Sequence, residues 1–364
     1  MAGIMNDGTL PTQARLGRAL LALRESDGGL STRQWAAAAG VAEDDICQLA
    51  AELRALGVEV EGAAAGWRLA GEADVALPEV LAPKIAGTIF AGAVRHFSTI
   101  GSTNAAAMRA GAEAEAAAQK ANQKTTQNAI QNAGHDVVQG GKQERKRGAV
   151  WLAEEQTAGK GRAGHVWKSN PRDGIYCSVL LRPRLAPVDV IVWSLAAGLA
   201  VVEAVHEVTG LWGDLRWPND VMMGGRKFCG ILTELNAEVT RVRYVVVGVG
   251  MNVNNQEFPP ELEAIATSLA MEAGRRFPRV ELVASLLRAL DREQAALEDG
   301  VGAARERILR RFEQHSSYCC GCAVEVEEDG GYLGVTRGLD ERGFLRIETA
   351  RGMRTVLSGG VRKR

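Results

Sequence analysis

Hydrophobic spacing changes period several times along the chain. In "ARLGRALLALRESD" apolar residues recur three and four apart, which marks one face of a helix. "LSTRQWAAAAGVAEDDICQLAAELRALG" predicts a helix capped at Ser31, a Gly-Val turn at Gly40, and a second helix from about Glu43 to Leu56. "VEVEGAAAGWRLA" alternates about a small-residue turn, the pattern of a hairpin. Three helices and a β-wing predict a winged helix-turn-helix over residues 1–76, a shape that normally lays its second helix in a DNA major groove.

"LPEVLAP" reads as a linker, and a second unit starts near Lys84. "RHFSTIGSTNAAAMRAGA" predicts a strand, a turn where Ser102 or Thr103 caps, and a helix. Residues 112–148 are rich in Ala, Gln, Asn and charge and poor in bulky apolar side chains. Such a stretch buries too little surface to offset an ordering entropy of about 1–2 kcal/mol per residue, and is expected to be a mobile, partly helical insertion. "AVWLAEEQ" and "GIYCSVLLRP" then predict strands, and "VDVIVWSLAAGLAVVEAVHEVTG" a long helix ended by Gly210. "DLRWPNDVMMGGRKFCGILTEL" and "RYVVVGVGMNVNN" continue the sheet, followed by helices at about 281–298 and 303–315. Short alternating strands with glycine turns close the chain and predict a small C-terminal β-barrel over 317–364. The expected class is α+β, with a central mixed β-sheet domain over 84–316.

Charge and composition narrow this picture. A net charge of −1 gives no global field toward nucleic acid or membrane, so any polyanion site must be local. The longest apolar stretch, "VIVWSLAAGLAVV", falls short of the ~20 residues a bilayer requires. The start lacks the basic cluster and apolar run of a signal peptide, and six cysteines without one predict reduced thiols in the cytoplasm. Four ligands packed into His315, Cys319, Cys320 and Cys322 are too cramped for tetrahedral zinc. Residues 1–80 hold six arginines and no lysine against twelve acidic residues, a net of −6. The predicted recognition helix carries Glu43, Asp44, Asp45 and Glu52 against Arg54 alone. Its shape points to DNA while its charge would repel phosphate.

"EQTAGKGRAGHVWK" contains G-x-G-x-x-G at Gly159, Gly161 and Gly164. A dinucleotide fold would need a helix directly after it, yet "HVWKSNPRDG" turns into a strand. The lysine, H-R-D and D-F-G that a kinase needs are absent. What remains is a strand-to-strand loop bearing Lys160, Arg162, His165 and Lys168, either an anion cradle or an exposed basic loop. "RWPNDVMMGGRKFCGIL" adds Arg216, Asn219, Asp220, Arg226 and Lys227, with Asp220 a candidate Mg²⁺ ligand. Ser102, Thr103 and Asn104 place three small hydrogen-bonding side chains in a row.

In order, "GSTN", "EEQTAGKGRAGHVW", "RWPNDV", "GRKFCGILTE" and "VVGVGMNV" resemble the successive motifs of the biotin protein ligases, and the N-terminal unit matches the longer class that doubles as repressors. The resemblance implies a biotin/lipoate ligase fold, similar to class II synthetases. It implies biotin and ATP as substrates with Mg²⁺, an adenylate intermediate, and transfer to a lysine of the biotin carboxyl carrier protein of acetyl-CoA carboxylase. By the same match, Ser102, Thr103, Asn104 and Gln156 face biotin. Lys160, Gly161 and Arg162 close over the adenylate, and Lys227 meets the biotin carboxylate and α-phosphate, with Arg162 and Lys227 catalytic. Gly159, Gly164, Trp167, Arg216, Asn219, Asp220 and Asn252 fall to the nucleotide. Lys160 stands where the family usually has arginine. A lipoate-protein ligase and a biotin-responsive repressor are the alternatives; homodimer formation and operator binding are left open.

Overall fold

A computed structural model describes residues 10–26, 28–63, 66–131, 148–183, 185–357 and 359–364. Its first unit holds helices α1 (Leu10–Arg24), α2 (Thr32–Ala39) and α3 (Ile46–Ala55), then a hairpin of β1 (Val60–Ala63) and β2 (Gly66–Leu69). Ser31 and Gln34 form a reciprocal capping box at α2, and Gly40 ends that helix in the left-handed conformation. Trp35, Ile46, Leu49 and Leu53 are fully buried beneath the hairpin.

A short helix α4 (Pro78–Leu81) leads to β3 (Val94–Phe97), α5 (Thr103–Gln131), β4 (Ala149–Ala153), β5 (Gly174–Leu181) and α6 (Ile191–Thr209). Strands β6 (Asp214–Arg216), β7 (Asp220–Met223), β8 (Arg226–Ala237) and β9 (Val242–Asn252) follow. Helices α7 (Pro260–Glu263), α8 (Leu269–Ala273), α9 (Arg279–Asp299) and α10 (Val301–Gln314) complete the unit. The sheet runs β3-β4-β5-β9-β8-β7-β6 and is mixed, because β3 pairs parallel to β4 while the other neighbours are antiparallel. Residues 112–131 of the expected insertion continue α5, and 132–147 lie outside the described residues.

Helix α6, with the turn before it, is long and apolar enough to cross a membrane by length and composition. It is instead the core helix of the domain, packed on β8, α9 and α10. Gly210, at φ 78°, ends it.

The C-terminal strands β10 (Cys320–Val326), β11 (Tyr332–Leu339), β12 (Leu345–Thr349), β13 (Gly352–Val356) and β14 (Val361–Lys363) correct one expectation. They form an open sheet in the order β13-β12-β11-β10-β14, and among the described residues no pairing joins β13 to β14, so the predicted barrel is not closed. This sheet is tied to the central unit by the Trp217 indole, which donates to the Gly343 carbonyl at 2.9 Å.

The N-terminal unit is held by buried charge. Asp74 accepts from the backbone N–H of Arg279 and Val280, each at 2.9 Å, and so caps α9. The Arg279 guanidinium, 8% exposed, reaches on to Glu154 at 2.7 Å, whose other oxygen lies 2.8 Å from His96 Nε2. Gly57, at φ 88°, packs directly against the Arg172 side chain, and the Arg172 amide donates to the Glu154 carbonyl. Burial raises the Glu154 pKa, but the His96 hydrogen bond and the Arg279 charge outweigh it, so the carboxyl sits below its ordinary value.

The Glu154 contribution is therefore present above the ordinary carboxylate pKa and lost as pH falls through the lowered folded value. Arg279→Met should cost about 3–5 kcal/mol at neutral pH by leaving that carboxylate buried without its guanidinium, with His96 its remaining partner. In urea denaturation the gap to the unsubstituted protein should narrow on acidification, once Glu154 is protonated. A gap of constant size from neutral to acid pH would contradict this account.

Candidate functional site

Strand alternation puts Tyr244, Val246, Gly248 and Gly250 of β9 on one face of the central sheet. The first two pack under α5 with Trp151, Leu180 and Ala107, forming a small second core. Beyond them the side chains vanish, and the sheet face opens into a pocket at the N-terminus of α5. Register places Gly230 of β8 opposite Gly250, and both Leu232 of β8 and Ser178 of β5 opposite Gly248.

These glycines are filled from above. A Cβ at Gly248 would lie 2.0 Å from the Asn104 Oδ1, and one at Gly250 would lie 2.6 Å from the Trp167 ring. One at Gly230 would lie 2.9 Å from that same indole. Two successive glycines at i and i+2 in "VVGVGMN" are the signal for such close approach, and it was available in the sequence.

At the polar end, backbone 154–158 runs beside 97–101, with Thr157 N donating to the Ile100 carbonyl and Ala158 N to that of Gly101. This brings the Gln156 Oε1 to the Thr103 N–H at 2.9 Å and to the Thr103 hydroxyl at 3.1 Å. Ser102, Thr103 and Asn104 are all buried. Asn104 Nδ2 donates to Glu234 at 2.9 Å and to the Leu232 carbonyl at 3.3 Å, and Ser178 Oγ lies 2.6 Å from its Oδ1. Glu234 and Ser178 come from different strands, Glu234 opposite Val246 and Ser178 opposite Gly248, and they meet at Asn104 only once β8, β9 and β5 pair.

At the other end lie Lys160, Gly161, Arg162 and Lys227. The glycine-rich segment closes as a tight hairpin: Gly161 N donates to the His165 carbonyl at 2.7 Å, and Trp167 N to the Gly159 carbonyl at 3.0 Å. Its tip holds Ala163 at φ 51° and Gly164 at φ 81°, so it leads into no helix. Arg162 donates to Asn219 Oδ1 at 3.0 Å, and Asn219 Nδ2 donates to the Ile231 carbonyl at 3.0 Å, which fastens the loop to β8. The Arg162 pKa is lowered by burial, with Asp220 opposing.

Asp220 lies between Lys227 at 2.6 Å and Arg216 at 2.5 Å. Burial raises its pKa, but the two cations outweigh that and hold the carboxyl below its usual range. Both oxygens are taken by cations, so this donor set does not fit a resident Mg²⁺. Lys227 also lies 5.6 Å from the Trp167 ring centroid, within reach of its π face.

Of the sequence candidates, Ser102, Thr103, Asn104, Gln156, Lys160, Gly161, Arg162, Trp167, Asn219 and Lys227 line this one pocket. Asp220 and Arg216 join it through Lys227. Gly159 lies under the Trp167 carbonyl, and Gly164 lies at the loop tip. Asn252 stands apart from the lining, its carboxamide donating to the Thr267 carbonyl at 3.1 Å.

The arrangement can take an elongated ligand with hydrogen-bonding groups at one end and negative charge at the other. Comparison with known proteins gives the same direction. The Biotin/lipoate A/B protein ligase family matches residues 123–252. A bifunctional ligase/repressor BirA of Bacillus subtilis is 35% identical over 59% of this chain and 66% of its own length, just under two thirds of that protein. A biotin–[acetyl-CoA-carboxylase] ligase of Mycobacterium tuberculosis is 36% identical over 58% of this chain and 77% of its own. Among solved structures, a biotin protein ligase from Aquifex aeolicus in complex with biotin and ATP superposes with a TM-score of 0.56 and 26% identity, covering 75% of this chain and all of that one.

Gly250→Ala should expel the Trp167 indole and loosen the hairpin it anchors. Limited trypsin digestion should then cut at Lys160, Arg162 or Lys168 several-fold faster than in the unsubstituted protein. Unchanged cutting would mean that the glycine floor does not hold the loop.

Proposed function

This chain belongs to the biotin protein ligase family, and we propose that it joins biotin to ATP as biotinyl-5′-adenylate, then passes biotin to a lysine of a biotin carboxyl carrier domain. The observation that carries this reading is one pocket with a buried Ser102-Thr103-Gln156 turn at one end and Lys160, Arg162 and Lys227 at the other. The turn suits the ureido ring, and the cations suit a carboxylate brought against a phosphate.

In the first step a biotin carboxylate oxygen attacks the α-phosphorus, the bond from that phosphorus to the α,β-bridging oxygen breaks, and pyrophosphate leaves with the bond electrons. Two anions meet there, so the barrier is mainly electrostatic and positional. Lys227 supplies charge where the carboxylate and phosphate oxygens converge, while Asp220 and Arg216 keep its ammonium aimed. Arg162, fastened to Asn219, closes the glycine hairpin over the mixed anhydride and shields it from water. Trp167 offers a flat face for the adenine. In the second step the carrier amine attacks the biotinyl carbonyl and AMP leaves with the bond electrons. Any Mg²⁺ arrives on the ATP phosphates.

The working division is a winged helix-turn-helix at 1–76, a catalytic domain at 84–316 and a small β domain at 317–364, acting in the cytoplasm. Operator binding is disfavoured by Glu43, Asp44 and Asp45 in the turn that leads into α3. The one cation of α3, Arg54, is engaged by the Val60 carbonyl at 2.7 and 2.9 Å, and Glu52 is paired with Arg15. A packing or regulatory role for this unit fits better. In a mobility-shift assay at low salt the protein should leave duplex DNA unretarded, with and without biotin and ATP; a retarded species would restore the repressor reading.

The decisive assay is exchange of labelled pyrophosphate into ATP, with biotin and lipoate in parallel. Exchange with biotin alone is expected, and exchange with lipoate alone would transfer the chain to the lipoate branch. Lys227→Ala should lower adenylate formation by on the order of 10²-fold. Arg162→Ala should form the adenylate but release it into solution, as read by chromatography of the quenched reaction. Unmutated rates in both variants would remove these two roles.

A further inference from the structure

Strand β6 stands at the edge of the central sheet and is only three residues long, Asp214–Arg216. Its inner side pairs with β7, which sets Arg216 opposite Asp220 and Asp214 opposite Met222. Its outer side is covered by the segment that joins α10 to the C-terminal sheet. The Leu215 N–H donates to the His315 carbonyl at 2.8 Å, and the Ser316 hydroxyl donates to the Leu215 carbonyl at 2.5 Å. Ser317 then grips Asp214 twice, with its N–H 2.8 Å from one carboxylate oxygen and its hydroxyl 2.5 Å from the other. Both backbone groups that the short edge strand turns outward are thereby satisfied.

These contacts bracket Arg216. Residues two apart on a strand share a face, so Asp214 and Arg216 project to the same side of β6. Tyr318, next in the covering segment, is buried and feels both charges: burial and Asp214 push its hydroxyl pKa up, and Arg216 opposes them. Arg216 binds Asp220 at 2.5 Å, and Asp220 binds Lys227 at 2.6 Å. The ammonium aimed at the reacting oxygens is thus linked, residue by residue, to the start of the C-terminal sheet.

We propose that Ser316, Ser317 and Asp214 form a clasp of positioning residues. Through it the C-terminal sheet fixes β6 and, by way of Arg216 and Asp220, the aim of Lys227 in the adenylation step. None of the three lines the ligand pocket. This rests on the ligase reading and adds to it a part for the C-terminal sheet in the chemistry.

The test is biotin-dependent pyrophosphate exchange, with kcat and the biotin KM measured separately. Ser316→Ala combined with Asp214→Ala opens the clasp, while the backbone bond from Leu215 to His315 and the Trp217 bond to Gly343 remain. Its kcat should fall about tenfold while the biotin KM stays within about twofold, since a displaced charge costs the transition state more than the bound acid. Ser316→Thr combined with Asp214→Asn keeps a hydroxyl for Leu215 and gives Ser317 an acceptor for its N–H and a donor for its hydroxyl. That conservative pair should return kcat to within about twofold of the unsubstituted rate. Ser317→Ala alone, which loses one hydroxyl contact, should lower kcat about threefold. Arg216→Ala slows exchange by itself; opening the clasp in that background should change kcat by less than about twofold, because contacts in one chain do not add.

A merely structural clasp would act by the same factor with or without Arg216. Full additivity, an unaltered kcat in the alanine pair, or a conservative pair as slow as the alanine pair would overturn the assignment and leave the ligase reading intact. Should the alanine pair fail to fold, Ser317→Ala with and without Arg216→Ala makes the same comparison. Absence of biotin-dependent exchange in the unsubstituted enzyme would overturn both.

Discussion

Three positions without side chains, Gly230, Gly248 and Gly250, determine what the central sheet can be used for. On the same face a few residues earlier, Tyr244 and Val246 fill the space under α5 as an ordinary core. The constraint is one of excluded volume: a single methyl at Gly248 would overlap the Asn104 carboxamide, and one at Gly250 would overlap the Trp167 indole. Because β8 and β9 pair Gly230 with Gly250 and place Gly248 two residues away on the same face, the relief is continuous and the floor of the pocket is built on backbone. The polar turn, the cationic loop and the aromatic wall all take their positions from that floor.

A second set of interactions fixes where the floor ends. Glu154 closes β4 two residues before Gln156, and Arg279 binds Glu154 while its own helix is capped by Asp74 from the preceding unit. The N-terminal unit thus contributes to the structure of the ligand pocket without lining it. This reconciles its two contradictory features. Its helices and hairpin have the outline of a DNA reader, but three of its six arginines are committed internally: Arg15 to Glu52, Arg18 to the Ala39 carbonyl, Arg54 to Val60.

Much of this was legible in the sequence, for reasons of range. Helix starts and stops are written locally, and the capping box at Ser31 and the glycine stop at Gly210 lie where the pattern puts them. The failure of G-x-G-x-x-G as a dinucleotide motif was legible too, because a turn and strand follow it. The C-terminal barrel was misjudged because alternation reveals strands but not whether the two edge strands meet; β13 and β14 pair with β12 and β10 and stop there. Glu234 and Ser178 escaped notice for a related reason. Each is an unremarkable strand residue until β8, β9 and β5 align and Asn104 lies across them.

Helix α5 starts with its first turn in the ligand pocket and then leaves the fold. Gly111 is pressed against Tyr244 and Leu180, Glu115 pairs with Arg243 and Arg182, and residues 116–121 are exposed. The helix is clamped near the pocket, and its last described side chains are exposed. A reporter sequence spliced beyond that clamp should therefore cost the pocket little, because the contacts that place Thr103 all lie before it.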